Sequence, residues 1–189
     1  TQVEMAQGRS IHSVFIGGGT PSLISAQGYQ WLFGQLKARL DFKADCEITL
    51  EANPGTVEHD PFADYLAVGI NRLSLGVQSF DPEHLQRLGR IHSANNALDA
   101  IQQARQAGFE RVNVDLMHGL PQQTEEQALT DLKLAVEQGA THISWYQLTI
   151  EPNTVFFRTQ PVLPQDETLE HIQELGEAYL KANGYINYE

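Results

Sequence analysis

The chain has 189 residues, 41% of them hydrophobic, enough to bury a core, and one domain over residues 1–189 is expected. Its 24 acidic and 12 basic side chains give a formal charge of −12, which argues against nucleic-acid backbones and anionic membranes, since both select clustered Lys and Arg. No apolar run approaches the ~20 residues of a spanning helix, no signal-peptide pattern opens the chain, and a single cysteine, Cys46, excludes an internal disulfide, so a cytoplasmic address is expected.

The opening Thr1 to Gly8 reads as the last turn of a helix stopped by glycine, which points to a fragment of a longer chain. A unit of strand, polar ending and amphipathic helix then repeats. Ser13 to Ile16 is the first strand and runs into Gly17-Gly18-Gly19-Thr20-Pro21, where residues without Cβ let the backbone approach a ligand closely. A helix from about Ser25, its N-cap, to Leu40 carries Tyr29, Leu32, Phe33, Leu36 and Leu40 at helical spacing. Glu47 to Glu51 forms the second strand, and Asp60-Pro61 opens a short helix with proline at its first position, closed by Gly69. Arg72 to Gln78 is the third strand. Asp81-Pro82 opens another short helix, and Ser93 caps a longer one with Leu98, Ile101 and Ala104 inward. Val112 to Leu116 is the fourth strand, followed by the capping box Thr124 to Gln127 before Leu129, Leu132 and Val136. His142 to Ile150 is the fifth. After the irregular stretch Glu151 to Pro164, a last helix from about Asp166 turns Leu169, Ile172, Leu175 and Tyr179 inward, and Tyr185 to Tyr188 is read as the start of a further strand.

Strict alternation of strand and helix implies an α/β fold with a parallel sheet, either doubly wound or part of a β/α barrel. Polar residues end every later strand: Glu51 and Asn53, Gln78 and Ser79, Asp115, then Gln147, Thr149 and Glu151. A barrel gathers all strand ends at one mouth, whereas an open sheet concentrates them at a switch point, so a partial TIM-like barrel is expected. Glu51 and Asp115 stand in apolar runs, where a carboxylate is costly unless it is used. Gln78 is as readily a cap for a strand end as a ligand, and Arg90 by default is a solvated arginine. None of the seven histidines forms an i, i+4 pair, which favours structural over metal-binding roles.

Five motifs in register carry a resemblance. Gly17 to Pro21, Leu50 to Gly55, Arg72 to Phe80 with Leu88-Gly89-Arg90, Asp115 to Pro121, and Trp145 to Thr154 resemble the radical S-adenosylmethionine (SAM) proteins of the oxygen-independent coproporphyrinogen III oxidase group. The match is strongest to the heme chaperone branch, of HemW type, and covers nearly the whole chain. The resemblance implies that Gly18, Gly19 and Thr20 hold the methionine part of SAM through the backbone, with Glu51 also on the cofactor. It implies that Arg90 pairs with the methionine carboxylate, a task suited to a bidentate fork, and that Gln78 and Asp115 bind the ribose hydroxyls. Thr149 corresponds to a position near the adenine.

The family's Cys-x3-Cys-x2-Cys loop, which holds a [4Fe–4S] cluster, does not occur in these residues, and Cys46 is one thiol at the opposite end of the barrel. What the resemblance implies is the central barrel without its first strand and C-terminal part, inactive alone. For the complete protein it implies reductive cleavage of SAM to a 5′-deoxyadenosyl radical, with heme as cargo passed to an acceptor protein, or a porphyrinogen as substrate in the oxidase branch. A reading without radical chemistry also stands: a barrel piece whose glycine loop cradles a phosphate or nucleotide, though it lacks the Gly-Lys-Ser/Thr and Gly-x-Gly-x-x-Gly patterns.

Overall fold

The computed structural model describes residues 8–55 and 59–188. The expected helix end at the N-terminus lies outside them. Five strands, β1 (Ile11–Ile16), β2 (Phe42–Ala52), β3 (Arg72–Gln78), β4 (Arg111–His118) and β5 (His142–Gln147), form one sheet. All pair in parallel, in the order in which they occur along the chain. Among the described residues seven helices intervene or follow: α1 (Ala26–Lys37), α2 (Phe62–Ala67), α3 (Pro82–Arg87), α4 (Ala94–Gln106), α5 (Glu125–Glu137), α6 (Val155–Thr159) and α7 (Asp166–Ala182), with a 3-10 turn at Pro21–Leu23.

The order without reversal leaves no switch point of the doubly wound kind. The two faces of the sheet differ just as clearly. Ile48, Leu50 and Ala52, Leu73, Leu75 and Val77, and Val112, Val114 and Leu116 alternate along β2, β3 and β4, and all belong to the one buried core with Tyr29, Phe33, Ile101, Ala104 and Leu132 of the helices. The opposite face presents Thr49 and Glu51, Arg72 and Ser74, Arg111, Asn113 and Asp115, and Ser144 and Tyr146, in register with one another. Helices on one face, with polar side chains on the other, make a curled half-barrel whose inner wall is polar. At its N-terminal end Glu47 pairs with Arg111 at 3.2 Å and meets Arg72 at 4.0 Å.

Several boundaries move from the sequence expectation. β2 begins at Phe42, because Ile11 pairs with it across a register shift, and the polar Lys43 to Asp45 hid this extension. Pro61 is the N-cap of α2 rather than its first helical residue. Asp60 serves another helix: its carboxylate accepts from Ala26 N–H at 2.7 Å, while the expected N-cap Ser25 accepts from Gly28 N–H at 3.1 Å. That donor satisfaction holds Asp60 below its ordinary pKa, with His59 adding to the effect. On α7, Ile172 is buried but Leu175 is exposed; Gly176 takes the inward place instead. Tyr185 to Tyr188 form no strand, and the Tyr185 hydroxyl donates to the Ala140 carbonyl. Among the described residues no helix is long and apolar enough to cross a membrane.

Candidate functional site

The C-terminal ends of the strands carry the site. β1 ends at Ile16 and the chain enters the glycine loop, where Gly18 and Gly19 have φ of 85° and 62°. Gly18 N–H donates to Glu51 Oε2 at 3.3 Å. A Cβ on Gly17 would stand 2.8 Å from that same oxygen, so glycine here lets the Glu51 carboxylate lie against the loop backbone. Beyond Thr20 the loop is anchored from below by two buried tyrosines. Tyr29 donates to the Pro21 carbonyl at 2.7 Å, and Tyr65 donates to the carbonyls of Ser22 at 2.7 Å and Ile24 at 3.0 Å. Their rings meet edge-on at 6.0 Å, and burial pushes the Tyr29 phenol up to about 12. Tyr65→Phe is expected to cost about 1–3 kcal/mol, because it strips a donor from buried carbonyls while leaving the ring in place. A urea titration reads this, and an unchanged midpoint would sink the anchoring role.

On the inner wall Asp115 is the centre of a polar network. Asn113 Nδ2 donates to its Oδ1 at 2.7 Å, and the Ser74 hydroxyl lies 3.3 and 3.4 Å from its two oxygens. Ser144 donates to Asn113 Oδ1 at 3.2 Å and borders the same carboxylate. Burial raises the Asp115 pKa, these hydrogen bonds lower it, and the nearby Glu51 charge raises it again. The upward direction wins.

Gln78, the last residue of β3, is buried with φ of 70°, a left-handed conformation that costs a non-glycine residue free energy. It follows a register shift between β3 and β4. Its Oε1 accepts from the Tyr146 hydroxyl at 2.7 Å. Burial raises the Tyr146 pKa, followed by the charge of Asp115, while Arg90 lowers it. Tyr146 is therefore hydrogen-bonded to Gln78 and within electrostatic reach of Asp115 and Arg90. Arg90 itself is exposed, two residues beyond the C-cap of α3, and no ion pair forms with it among the described residues.

Glu51, Gln78, Asp115 and the loop of Gly18 and Gly19 thus converge on one mouth, with Arg90 within electrostatic reach. Thr20 closes the loop, its carbonyl accepting from Leu23 N–H at 3.1 Å. Thr149 stands apart: β5 ends at Gln147, not Ile150, and Thr149 is exposed beyond it with no side-chain hydrogen bond among the described residues. Strand alternation sends the two aromatics of β5 to opposite faces of the sheet. Tyr146 faces the mouth, whereas Trp145 packs on His118, ring centroids 4.3 Å apart, on the helix side. Sequence reasoning did not reach Ser74 or Asn113 as partners of the site. The period-2 rule applied to Asp115 would have found Asn113 on the same face. No group of three or more His, Cys, Asp or Glu suited to a metal occurs among the described residues, and Cys46 is a buried core residue.

A family model for the radical SAM superfamily matches residues 2–135. The chain belongs to the radical SAM superfamily. Within the superfamily it is 54% identical over 187 residues to the heme chaperone HemW of Escherichia coli K12, covering 99% of this chain and 50% of that protein. It is also 54% identical over 183 residues to heme chaperone HemW of Haemophilus influenzae, covering 97% and 48%. Among solved structures, the radical SAM coproporphyrinogen III oxidase HemN of Escherichia coli superposes with a TM-score of 0.84 at 29% identity, over 98% of this chain and 43% of that one. The chain spans about half the length of these relatives.

Proposed function

We propose that the full-length protein is a cytoplasmic heme chaperone that binds SAM at a [4Fe–4S] cluster and passes heme to an acceptor protein. The supporting observation is the 54% identity to two proteins named heme chaperone across almost all of this chain. The geometry suits SAM in kind. Gly18, Gly19 and Thr20 offer backbone to the methionine part, and Glu51, already seated on that loop, is an acceptor for its ammonium group. Arg90, exposed and in no ion pair among the described residues, supplies a guanidinium for its carboxylate, and Gln78 and Asp115 supply acceptors for ribose hydroxyls. Thr149 is assigned to the adenine end. When bound together, SAM and a reduced cluster supply one-electron radical chemistry. The chain's one cysteine cannot provide the three thiolates that the cluster requires, so its ligands are assigned outside these 189 residues.

A second reading is favoured by one specific observation, the 0.84 superposition on a coproporphyrinogen III oxidase. Oxidation requires a porphyrinogen propionate aligned beside the reactive centre, whereas a chaperone requires only a heme surface. Full-length protein with its cluster rebuilt is expected to bind about one heme per chain and to leave coproporphyrinogen III unconverted in anaerobic, reducing assays containing SAM. Sustained formation of protoporphyrinogen IX would overturn the chaperone reading. Failure to bind heme, measured by absorbance titration, would remove its cargo.

A further inference from the structure

Asp131 lies on α5, on the helix side of the sheet, only 2% exposed. Its Oδ2 accepts from the Ser79 hydroxyl and its Oδ1 from Phe80 N–H, both at 2.7 Å. Burial pushes its pKa up to about 7, even though both donors favour the charged form. Placing a carboxylate there costs free energy that an apolar residue on the same face would not, so its hydrogen bonds have to yield something specific.

What they hold is the connection from β3 to α3. Gln78, immediately before Ser79, is in the left-handed region, a conformation that persists only where the surroundings over-determine it. On one side of Gln78 the Val77 carbonyl meets His92 Nε2 at 3.0 Å. On the other, Ser79 and Phe80 are pinned to Asp131, and the Ser79 oxygen also accepts from Asp81 N–H at 3.0 Å. The clamp continues along α3. Gln127, one turn before Asp131 on α5, donates from Nε2 to Asp81 Oδ2 at 3.2 Å, and Arg87 donates to the Pro121 carbonyl at 2.6 Å just ahead of α5. Arg90 follows three residues later.

We infer that Asp131 is a positioning residue: from behind the sheet it fixes the turn that aims Gln78 into the mouth, and so tunes SAM binding without touching SAM. This rests on the assignment of Gln78 to SAM made above. The alternative is a purely structural clamp, whose loss lowers stability and leaves the geometry of Gln78 as it was.

The test is a double-mutant cycle on full-length, cluster-loaded protein, with SAM affinity measured by titration calorimetry and folding by thermal melting. Asp131→Ala is expected to raise the Kd for SAM about tenfold in the wild-type background, but less than about twofold when Gln78 is already alanine, since coupled residues are non-additive. Asp131→Asn, which keeps an acceptor for Phe80 N–H, is expected to recover most of the affinity. Ser79→Ala, which removes one of the two donors and leaves the carboxylate on the other, is expected to fall between wild type and Asp131→Ala, and it carries the cycle if Asp131→Ala does not fold. Equal fold-changes in both backgrounds, or wild-type affinity in the folded variants, would overturn the positioning role. Wild-type protein that takes up no SAM would instead sink the cofactor reading beneath it.

Discussion

Arg90→Ala is expected to weaken SAM binding by full-length, cluster-loaded protein by about 2–4 kcal/mol, roughly 30- to 1000-fold in Kd. The reasoning starts from its situation. Arg90 stands exposed, in no ion pair among the described residues, after a short helix that Asp81 caps and that Arg87 ties to the Pro121 carbonyl. Its charge reaches Tyr146, which in turn bonds Gln78. A guanidinium so placed can grip a carboxylate with two parallel hydrogen bonds, and charge-assisted bonds in a partly dry site are worth more than a surface pair, whose median is ~0–1 kcal/mol. Arg90→Lys is expected to fall between, since it keeps the charge and loses the fork. Calorimetric titration decides the matter. An alanine variant with wild-type affinity returns Arg90 to the solvated arginine that its sequence context alone describes. The same measurement on Glu51 or Asp115 needs a parallel melting curve, because Asp115 also satisfies Asn113 and Ser74.

How much of this was legible beforehand differs from residue to residue, for physical reasons. Local chemistry was readable: Ser25, Asp81, Ser93 and Thr124 each cap the helix that their side-chain type and position announced. The bounds of β3 were also readable, because from Arg72 to Gln78 the apolar Leu73, Leu75 and Val77 alternate with Arg72, Ser74 and Gly76, and Asp81-Pro82 then turns the chain into a helix. Glu51, Gln78 and Asp115 were readable as strand-end residues, and it was those polar ends, rather than the alternation of strand and helix, that favoured a barrel with its strand ends at one mouth. Asp60 was not legible as a cap for α1, since its partner Ala26 is 34 residues away. Asp131 was missed for a related reason. An aspartate at the centre of an amphipathic helix reads as a solvent-facing residue, and only the tertiary structure turns it onto Ser79 and Phe80. Leu175 misled in the opposite sense, because the inward place on α7 goes to a residue with no side chain at all.

That last exchange supplies the second large expected effect, on stability. Gly176 sits in the buried face of α7 directly beneath the Trp145 indole of β5. A Cβ there would lie 2.9 Å from Trp145 Cζ2 and closer still to Cη2 and Cζ3. The indole also packs on the His118 ring, centroids 4.3 Å apart, which limits the directions in which it can retreat. Gly176→Val is therefore expected to destabilise the protein by about 2–3 kcal/mol, toward the upper end of overpacking costs, despite valine's better helix propensity. Because Trp145 and Tyr146 are neighbours on opposite faces of β5, a displaced indole also shifts the strand that carries the Tyr146 hydroxyl to Gln78. The double variant Trp145→Leu/Gly176→Val is expected to be clearly more stable than the sum of its two single changes, since the smaller side chain vacates the space the valine needs. Urea unfolding of the three variants beside wild type measures this. Additive losses, or a Gly176→Val midpoint equal to wild type, would show that α7 is not seated on β5 through this contact.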